Sequence, residues 1–284
     1  MKRFYLLLML LLTPVAHNAD AGQKVERIVS LGPINTENVY LLGAEDRLVG
    51  NTVYCVRPEA AKQIAKVGSV LQASLEKIIN LDPDLILTTG LSQSAQLRQL
   101  KQLGYNVAHF DQPRSFEESC NHLIELGRLI GREEKARSIV SQLKERVRAI
   151  TNAVGSYPPP RVAIQIGAEP LYLVGEDSFL NDFITLGGGI NILEGKESGR
   201  VSYELVVQED PEVIIIAIMG SETGVAAQEM KTWQKIEPIS AVQDNRIHII
   251  NPDIACSPSP ATFVSTLEII SHYLHPKAQL EVSP

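Results

Sequence analysis

An internal repeat, spaced by 128 residues along the chain, restricts the possible folds more than any other feature of this sequence. Residues 74–87 (SLEKIINLDPDLIL) and residues 202–215 (SYELVVQEDPEVII) share one order of residue types. Each copy begins with a serine suited to cap a helix and carries a glutamate in the first turn. Each then continues through Asp-Pro and an acid into an apolar strand. Two copies of one helix–strand unit predict two similar lobes.

Around both copies, short β-rich runs alternate with helical patterns, which is typical of α/β folds with mostly parallel sheets. Predicted strands are residues 27–31, 85–88, 105–110, 161–166, 213–218 and 246–250, and predicted helices are residues 36–42, 93–103, 179–186 and 262–274. A longer helical stretch, weakened near Gly127 and Gly131, runs from Ser115 to about Val154. We therefore predict two similar α/β lobes, each with a mostly parallel central sheet, joined by one long rigid helix.

The N-terminal residues and a triple proline suggest the domain boundaries. Lys2 and Arg3 precede an apolar run over residues 4–12, and residues 19–21 (ADA) form a small-x-small cleavage pattern. Residues 1–21 are therefore predicted to be a secretory signal peptide, with a retained anchor as the alternative. Because proline cannot continue a helix, residues 158–160 mark the end of the connection. The predicted units are an N-terminal lobe over 22–130, a connecting helix over 131–155 and a C-terminal lobe over 156–284.

Charge and cysteine content exclude several classes of function. The net charge is −7, from 26 basic and 33 acidic residues, and no basic block occurs, so nucleic acid is a poor partner. The three cysteines are an odd number, which leaves at least one thiol unpaired within the chain. No C-x-x-C or His-x-x-x-His pair is present, so no structural zinc site is indicated.

The sequence also lacks the common signatures of catalysis. It contains no G-x-S-x-G, no H-E-x-x-H and no dinucleotide fingerprint. Residues 187–189 (GGG) followed by Gly195 and Lys196 resemble a phosphate loop, but the spacing is wrong and Glu197 replaces the required Ser or Thr. We therefore predict no catalytic residue, no cofactor and no metal site, and we expect a protein that is not an enzyme.

An ordered set of short motifs then resembles one known family. The motifs are RIVSLGPINTE over 27–37, LG over 42–43, LVGNT over 48–52, Pro58 with two alanines at 60–61, VG over 67–68, Glu76, and PDLIL over 83–87. Together they resemble the periplasmic binding proteins for iron-siderophores, haem and vitamin B12, over nearly the whole chain after residue 21. The resemblance implies two lobes linked by a rigid helix, a shallow cleft, and delivery of a small molecule to an ABC importer.

The same resemblance assigns roles to the two repeated glutamates. In that family a glutamate at the tip of each lobe docks on arginines of the membrane permease, and the matching positions are Glu76 and Glu204. Complementary charge would steer and orient such a complex. The alternative is that each glutamate only complements a helix dipole. The implied partners are the permease with its ATPase and a small-molecule ligand, for a monomer that resides in the periplasm.

Ligand contacts are implied for loops that follow the strands. The candidate ligand-binding residues are Gly32, Pro33, Asn35, Tyr54, Cys55, Arg57, Gly90, Gly167, Glu169, Tyr172, Asp253 and Cys256. By this resemblance Tyr54 and Tyr172 stack on a planar ligand or else cover their own loops, and Arg57 pairs with an anionic group or is an exposed cation. Cys55 and Cys256 either ligate a metal in the ligand or are buried or merely free thiols.

Two further features of the sequence, compared with members of this family, indicate the ligand class. Residues 251–260 contain no arginine, which disfavours a highly anionic siderophore, and residues 53–60 and 165–170 look more like the corrinoid binders. We expect a corrinoid (vitamin B12-like) or related metal chelate. The alternatives are a ferric siderophore or haem, an exported enzyme acting at the same cleft, or a sensor that docks on a receptor.

Overall fold

Two separate sheets, one in each half of the chain, organise the structure, which is a computed structural model describing residues 24–219 and 224–279. The predicted signal peptide falls outside the described residues. Within the described ranges, no helix combines the length and apolar character needed to cross a membrane.

The N-terminal lobe contains a four-stranded, fully parallel sheet. Its strands are β1 (Ile28–Ser30), β2 (Leu48–Asn51), β3 (Leu85–Thr89) and β4 (Val107–Phe110), in the order β2-β1-β3-β4. Helices α1 (Pro33–Leu41), α2 (Leu75–Asn80) and α3 (Ser94–Gln102) connect them. The carboxyl ends of parallel strands lie at one edge of the sheet, which places the loops after all four strands together.

The helical stretch predicted over residues 115–154 consists of two helices, which separate at the predicted weak point near Gly131. They are α4 (Phe116–Leu129) and α5 (Glu133–Val154), and the turn between them includes Gly131 at a φ of 70°. Residues with a Cβ atom are strained at a positive φ, so glycine is favoured at this position of the turn. The 22 residues of α5 pack along α4 and also against the last helix of the chain, so α5 contacts both halves.

The C-terminal lobe repeats the parallel arrangement and adds a short antiparallel part. Its strands are β5 (Arg161–Gly167), β6 (Tyr172–Leu173), β7 (Ile190–Asn191), β8 (Gly199–Arg200), β9 (Val213–Ile216) and β10 (Ile247–Ile249). Strands β10, β9, β5 and β7 pair in parallel, while β6 pairs antiparallel with β5 and β8. Its helices are α6 (Leu180–Leu186), α7 (Tyr203–Glu209), α8 (Val225–Trp233), α9 (Ser240–Gln243), α10 (Pro252–Cys256) and α11 (Pro260–Leu274). The predicted two-lobe α/β fold with mostly parallel sheets is confirmed.

Both copies of the repeat fold in the same way. The Ser74 Oγ accepts a hydrogen bond from Lys77 N at 3.3 Å, and the Ser202 Oγ accepts one from Leu205 N at 3.3 Å, so each serine caps its helix. Each helix is followed by an aspartate with positive φ, 43° at Asp82 in one copy and 41° in the other. The equivalent strands β3 and β9 are both interior strands, each paired with a neighbour on either side.

The lobes share one hydrophobic core. A single cluster of buried side chains extends from Ile28 in the first sheet through α4 and α5 to Phe263 and Leu274 in α11. The Phe263 ring stacks on Phe116 of α4 at 5.0 Å and on Phe183 of α6 at 4.3 Å between ring centroids. Each sheet has a further, separate cluster on its outer face. Because the central cluster includes both sheets, the lobes pack as one body.

Candidate ligand-binding cleft

An open cleft of about 800 Å³ lies between the lobes, lined by residues of both. The N-terminal lobe contributes the loops that follow β3 and β4, and the C-terminal lobe contributes residues beside β5, β6, β9 and α10. This volume is within the range of about 300–1,000 Å³ that is usual for small-molecule sites. The cleft therefore lies where strand polarity predicts it, at the carboxyl edges of the parallel strands.

Acidic side chains outnumber basic ones on the cleft walls. Among the described residues that line it, Asp111, Glu118 and Asp177 carry carboxylates, and Arg114 carries the one guanidinium. Asp111 lies 3.3 Å from the Nε2 of His109, and Glu118 accepts a hydrogen bond from the backbone N of Arg114 at 2.5 Å. The described lining therefore has a formal charge of −2.

The carboxylate of Asp177 is held in its ionised form. It accepts hydrogen bonds from both the hydroxyl and the backbone N of Ser198, each at 2.6 Å. These hydrogen bonds lower the pKa of Asp177, and the charge of Arg114 in the opposite lobe lowers it further. Asp177 therefore presents a negative charge to the cleft at neutral pH.

Apolar side chains complete the walls. Leu91 and Met219 approach the cleft from opposite lobes and are 61% and 62% exposed. Tyr172 and Phe179 add aromatic surface in the C-terminal lobe, and the Tyr172 hydroxyl donates to the carbonyl of Ser198 at 3.2 Å. Large exposed apolar side chains inside a concave site provide surface that a bound molecule would bury.

The thiol of Cys256 also lines the cleft, and it is uncharged. Its Sγ donates to the carbonyl of Ala217 at 3.4 Å. Burial, followed by the nearby charge of Asp253, raises the pKa of Cys256 to about 12, so the thiolate that binds metals is disfavoured. Among the described residues, no three His, Cys, Asp or Glu side chains form a group suited to hold a metal ion, and all three cysteines are free.

The predicted ligand residues divide into two groups in the structure. Gly90, Tyr172 and Cys256 line the cleft, while the other nine do not line its described surface. Gly32 and Pro33 begin α1, and the buried Asn35 donates to the carbonyl of Thr88 at 3.1 Å.

The remaining predicted residues lie near the cleft without lining it. Tyr54 is 60% exposed, in the loop after β2. Gly167 ends β5, where it pairs with Tyr172, and the exposed Glu169 lies in the following turn. Asp253 lies in α10, with its backbone carbonyl hydrogen-bonded to Arg57.

Cys55, one of the predicted ligand contacts, is enclosed by protein in this structure. Its side chain is completely buried, with the Sγ 3.2 Å from the hydroxyls of Thr36 and Thr52. A thiol enclosed by its own loop and α1 offers no surface to a molecule in the cleft. A buried free thiol in such surroundings packs as a small apolar side chain.

Arg57, another of the predicted ligand contacts, has protein partners on both terminal nitrogens in this structure. Its guanidinium donates to the carbonyls of Asp253 and Ser257 and to the carboxylate of Glu37. These partners use both terminal nitrogens, so Arg57 connects the lobes instead of presenting a charge to the cleft.

Several lining residues were missed because the loop after β4 was not assigned to the site. That strand was predicted from residues 105–110, and its carboxyl end lies at the same edge as the others. The same topological argument would have included Asp111 and Arg114. Asp177 and Ser198, by contrast, reach the cleft from loops that flank two-residue strands, which have no clear sequence signal.

The two repeated glutamates lie at the same end of the molecule as the cleft. Glu76 and Glu204 are in the first turns of α2 and α7, and both are exposed. These helices run back to the amino ends of β3 and β9, so they begin at the carboxyl edges of the sheets. Hydrogen bonds from the backbone N of Glu204 itself and then from the Ser202 hydroxyl lower the pKa of Glu204.

This architecture agrees with a known family. A family model described as "Periplasmic binding protein" matches residues 28–254, which include both sheets and the cleft. The chain belongs to the periplasmic binding protein family. Family and fold together identify a solute-binding protein and not an enzyme.

Individual relatives agree over most of the chain. An uncharacterized ABC transporter substrate-binding lipoprotein of Bacillus subtilis is 28% identical, over 92% of this chain and 84% of the relative. The crystal structure of a periplasmic vitamin B12 binding protein of Vibrio cholerae matches with a TM-score of 0.74 and 26% identity, covering 88% of this chain and 96% of that one. A periplasmic heme binding protein from Pseudomonas aeruginosa matches with a TM-score of 0.80 and 26% identity, covering 90% and 94%.

Proposed function

We propose that this periplasmic binding protein captures a corrinoid in the cleft between its lobes and delivers it to the permease of an ABC importer. The acidic cleft lining supports this choice most directly, because its described residues have an excess of two negative charges. The proposed contacts are Gly90, Tyr172 and Cys256, together with the carboxylates of Asp111 and Asp177.

The charge of the lining separates the candidate ligands. Haem carries two propionate carboxylates, and many ferric siderophores are anionic, so both would bring negative charge against Asp111, Glu118 and Asp177. A corrinoid has a periphery rich in carboxamides, which are neutral and donate N–H hydrogen bonds to carboxylates. Hydrogen bonds to charged acceptors are stronger than those between neutral groups. An acidic, partly apolar cleft therefore favours the corrinoid.

Relatives of both kinds match this chain, so the ligand must be tested directly. We would titrate the purified protein with cyanocobalamin, haemin and a ferric siderophore by calorimetry and visible absorption. Saturable one-to-one binding of cyanocobalamin, tighter than that of haemin, is expected. Tighter binding of haemin or of the siderophore would contradict the corrinoid assignment. Recovery of the ligand unchanged would agree with capture without turnover.

We also propose that Glu76 and Glu204 dock on basic residues of the permease. One exposed carboxylate from each lobe lies beside the cleft, and within the described ranges neither takes part in an ion pair. Because no ion pair neutralises either glutamate there, both charges remain available to a basic surface. Two contacts separated by the cleft would also fix the orientation of the complex.

Charge reversal tests this docking without altering the cleft. The double variant Glu76→Arg, Glu204→Arg should bind ligand normally and abolish uptake in cells. Glu134→Arg is the matched control, because Glu134 is an exposed glutamate in the first turn of α5. Unchanged uptake by the double variant would refute the docking proposal, as would an equal loss in the control.

The remaining proposals concern the location and form of the protein. We propose a periplasmic monomer that is released after cleavage of residues 1–21, with lobes over 22–130 and 156–284 and the connecting helix over 131–155. N-terminal sequencing of the exported protein and its mass in solution would test the cleavage site and the monomeric state.

A further inference from the structure

A polar network beside the cleft joins the N-terminal lobe to the segment that carries Cys256. Arg57, in the loop after β2, donates from one terminal nitrogen to the carbonyl of Asp253 and from the other to the carbonyl of Ser257 at 2.7 Å. These carbonyls lie at the two ends of α10. One planar guanidinium thus holds a five-residue helix of the other lobe at both ends.

Glu37 supports this arginine and makes its own contacts to the C-terminal lobe. One carboxylate oxygen accepts from Arg57 at 3.1 Å, and the other accepts from the hydroxyls of Ser259 and Thr262. Ser259 is the N-cap of α11, the helix that follows α10. Glu37 is only 9% exposed, so its charge needs the compensation that Arg57 provides.

The segment held in this way forms part of the cleft wall. Cys256 and Ser257 line the cleft, and Asp253 lies one helical turn before Ser257. A change in the position of α10 would therefore change the distance between the C-terminal wall and the Leu91 loop opposite.

We infer that Arg57, supported by Glu37, is a positioning residue that fixes α10 and thereby sets the width of the ligand cleft. This inference deepens the proposed function and rests on it for the identity of the ligand. Arg57 is not among the residues that line the cleft; it acts through Cys256 and Ser257, which are. A lysine would not replace it, because an ammonium cannot present the same planar fork to two carbonyls and a carboxylate.

Cys256 provides a natural reporter for this test. It is partly exposed in the cleft, whereas Cys55 and Cys120 are completely buried. Alkylation with N-ethylmaleimide, followed by peptide mass spectrometry, measures how often α10 moves enough to expose the Cys256 thiol. The measurement needs no ligand, so it stands apart from the corrinoid assignment.

We expect the alkylation rate of Cys256 to differ among three variants. Arg57→Met should raise the alkylation rate of Cys256 by about tenfold, since a hydrogen bond from a charged group contributes about that factor or more. Glu37→Gln should raise it less, because Arg57 still reaches both carbonyls. Arg146→Met is the matched control: Arg146 pairs with the buried Glu268 at 2.6 Å, yet none of its described hydrogen bonds reaches α10. It should leave the Cys256 rate near that of the wild type.

Cyanocobalamin titration completes the test. Arg57→Met should weaken cyanocobalamin binding by about tenfold, and Arg146→Met should not, for the same physical reason. Equal Cys256 rates in Arg57→Met and wild type, or equal rises in Arg57→Met and Arg146→Met, would overturn the inference. If the wild type binds no cyanocobalamin, the corrinoid proposal fails, and the alkylation rates still decide the role of Arg57.

Discussion

Replacement of one leucine in the N-terminal lobe tests whether the two lobes unfold as one body. Leu100, on α3, is completely buried in the outer cluster of the N-terminal lobe, among residues that include Ile86. The single tryptophan of the chain, Trp233, is buried in the outer cluster of the C-terminal lobe. Its indole donates to Gln165 at 2.7 Å, so its fluorescence reports on the C-terminal lobe alone.

The size of the effect follows from burial. Truncation of a fully buried leucine to alanine costs about 3–5 kcal/mol of unfolding free energy, from lost transfer energy and from the cavity that remains. For a protein of this size, each kcal/mol shifts the melting temperature by about 2–4 °C. Leu100→Ala should therefore lower the melting temperature by about 6–20 °C.

The assay compares two probes of unfolding in urea, Trp233 fluorescence and far-ultraviolet circular dichroism. If the shared core couples the lobes, Leu100→Ala shifts both transitions by the same amount, although Trp233 lies in the other lobe. Leu103→Ala is the control, since Leu103 is 53% exposed at the end of the same helix and should change stability by less than about 0.5 kcal/mol. A Trp233 transition that stays in place while circular dichroism shows an early phase would refute a single cooperative body.

Three further predictions concern charge and pH. Asp111→Lys replaces a negative charge in the cleft with a positive one. In paired titrations it should raise the affinity for haemin relative to cyanocobalamin by about two- to fivefold, which corresponds to the interaction free energy of an exposed pair of charges. Asp182 accepts a hydrogen bond from Phe116 N at 2.7 Å where α4 begins, so Asp182→Ala should lower the free energy of unfolding in urea by about 1–2 kcal/mol. Asp182→Asn should lower it less, because burial raises the pKa of this carboxyl and thus disfavours its charged form. Burial lowers the pKa of His275, whose ring is hydrogen-bonded to the carbonyl of Gly188. As the pH drops, the unfolded chain therefore binds a proton at this histidine before the folded chain does, and the free energy of unfolding should fall below about pH 6.5. In His275→Gln this fall should be less steep.

Local sequence was sufficient to predict most of the fold, because its main signals are local. Strands β3 and β9 are continuous apolar runs that follow Asp-Pro turns, and their interior position in the sheets buries both faces. Strand β2 was not predicted, since Gly50 and Asn51 weaken its pattern and pairing with β1 maintains it. Two-residue strands such as β6 and β8 exist only through their partners, so no periodicity could identify them.

The candidate site was predictable only as far as topology determines it. Strand polarity correctly indicated the edge of the sheets that forms the cleft, and Gly90, Tyr172 and Cys256 line it. The orientation of Arg57 depends on carbonyls 196 and 200 residues further along the chain. A single sequence contains no local signal for such contacts, so a loop arginine near a cleft was reasonably assigned to a ligand.

The shared core and the contacts of Arg57 act on the same quantity, the separation of the cleft walls. The core joins the lobes through the stacked rings of Phe116 and Phe263, while Arg57 fixes the short helix that carries Cys256. A cleft held open at a set width loses little conformational freedom on binding, so its selectivity must come from complementary shape and charge. In such a cleft the acidic lining acts on every ligand that enters, because the walls cannot move apart to relieve repulsion. Under the proposed function, rigidity and negative charge would therefore act together against anionic chelates and in favour of a neutral, amide-rich ligand.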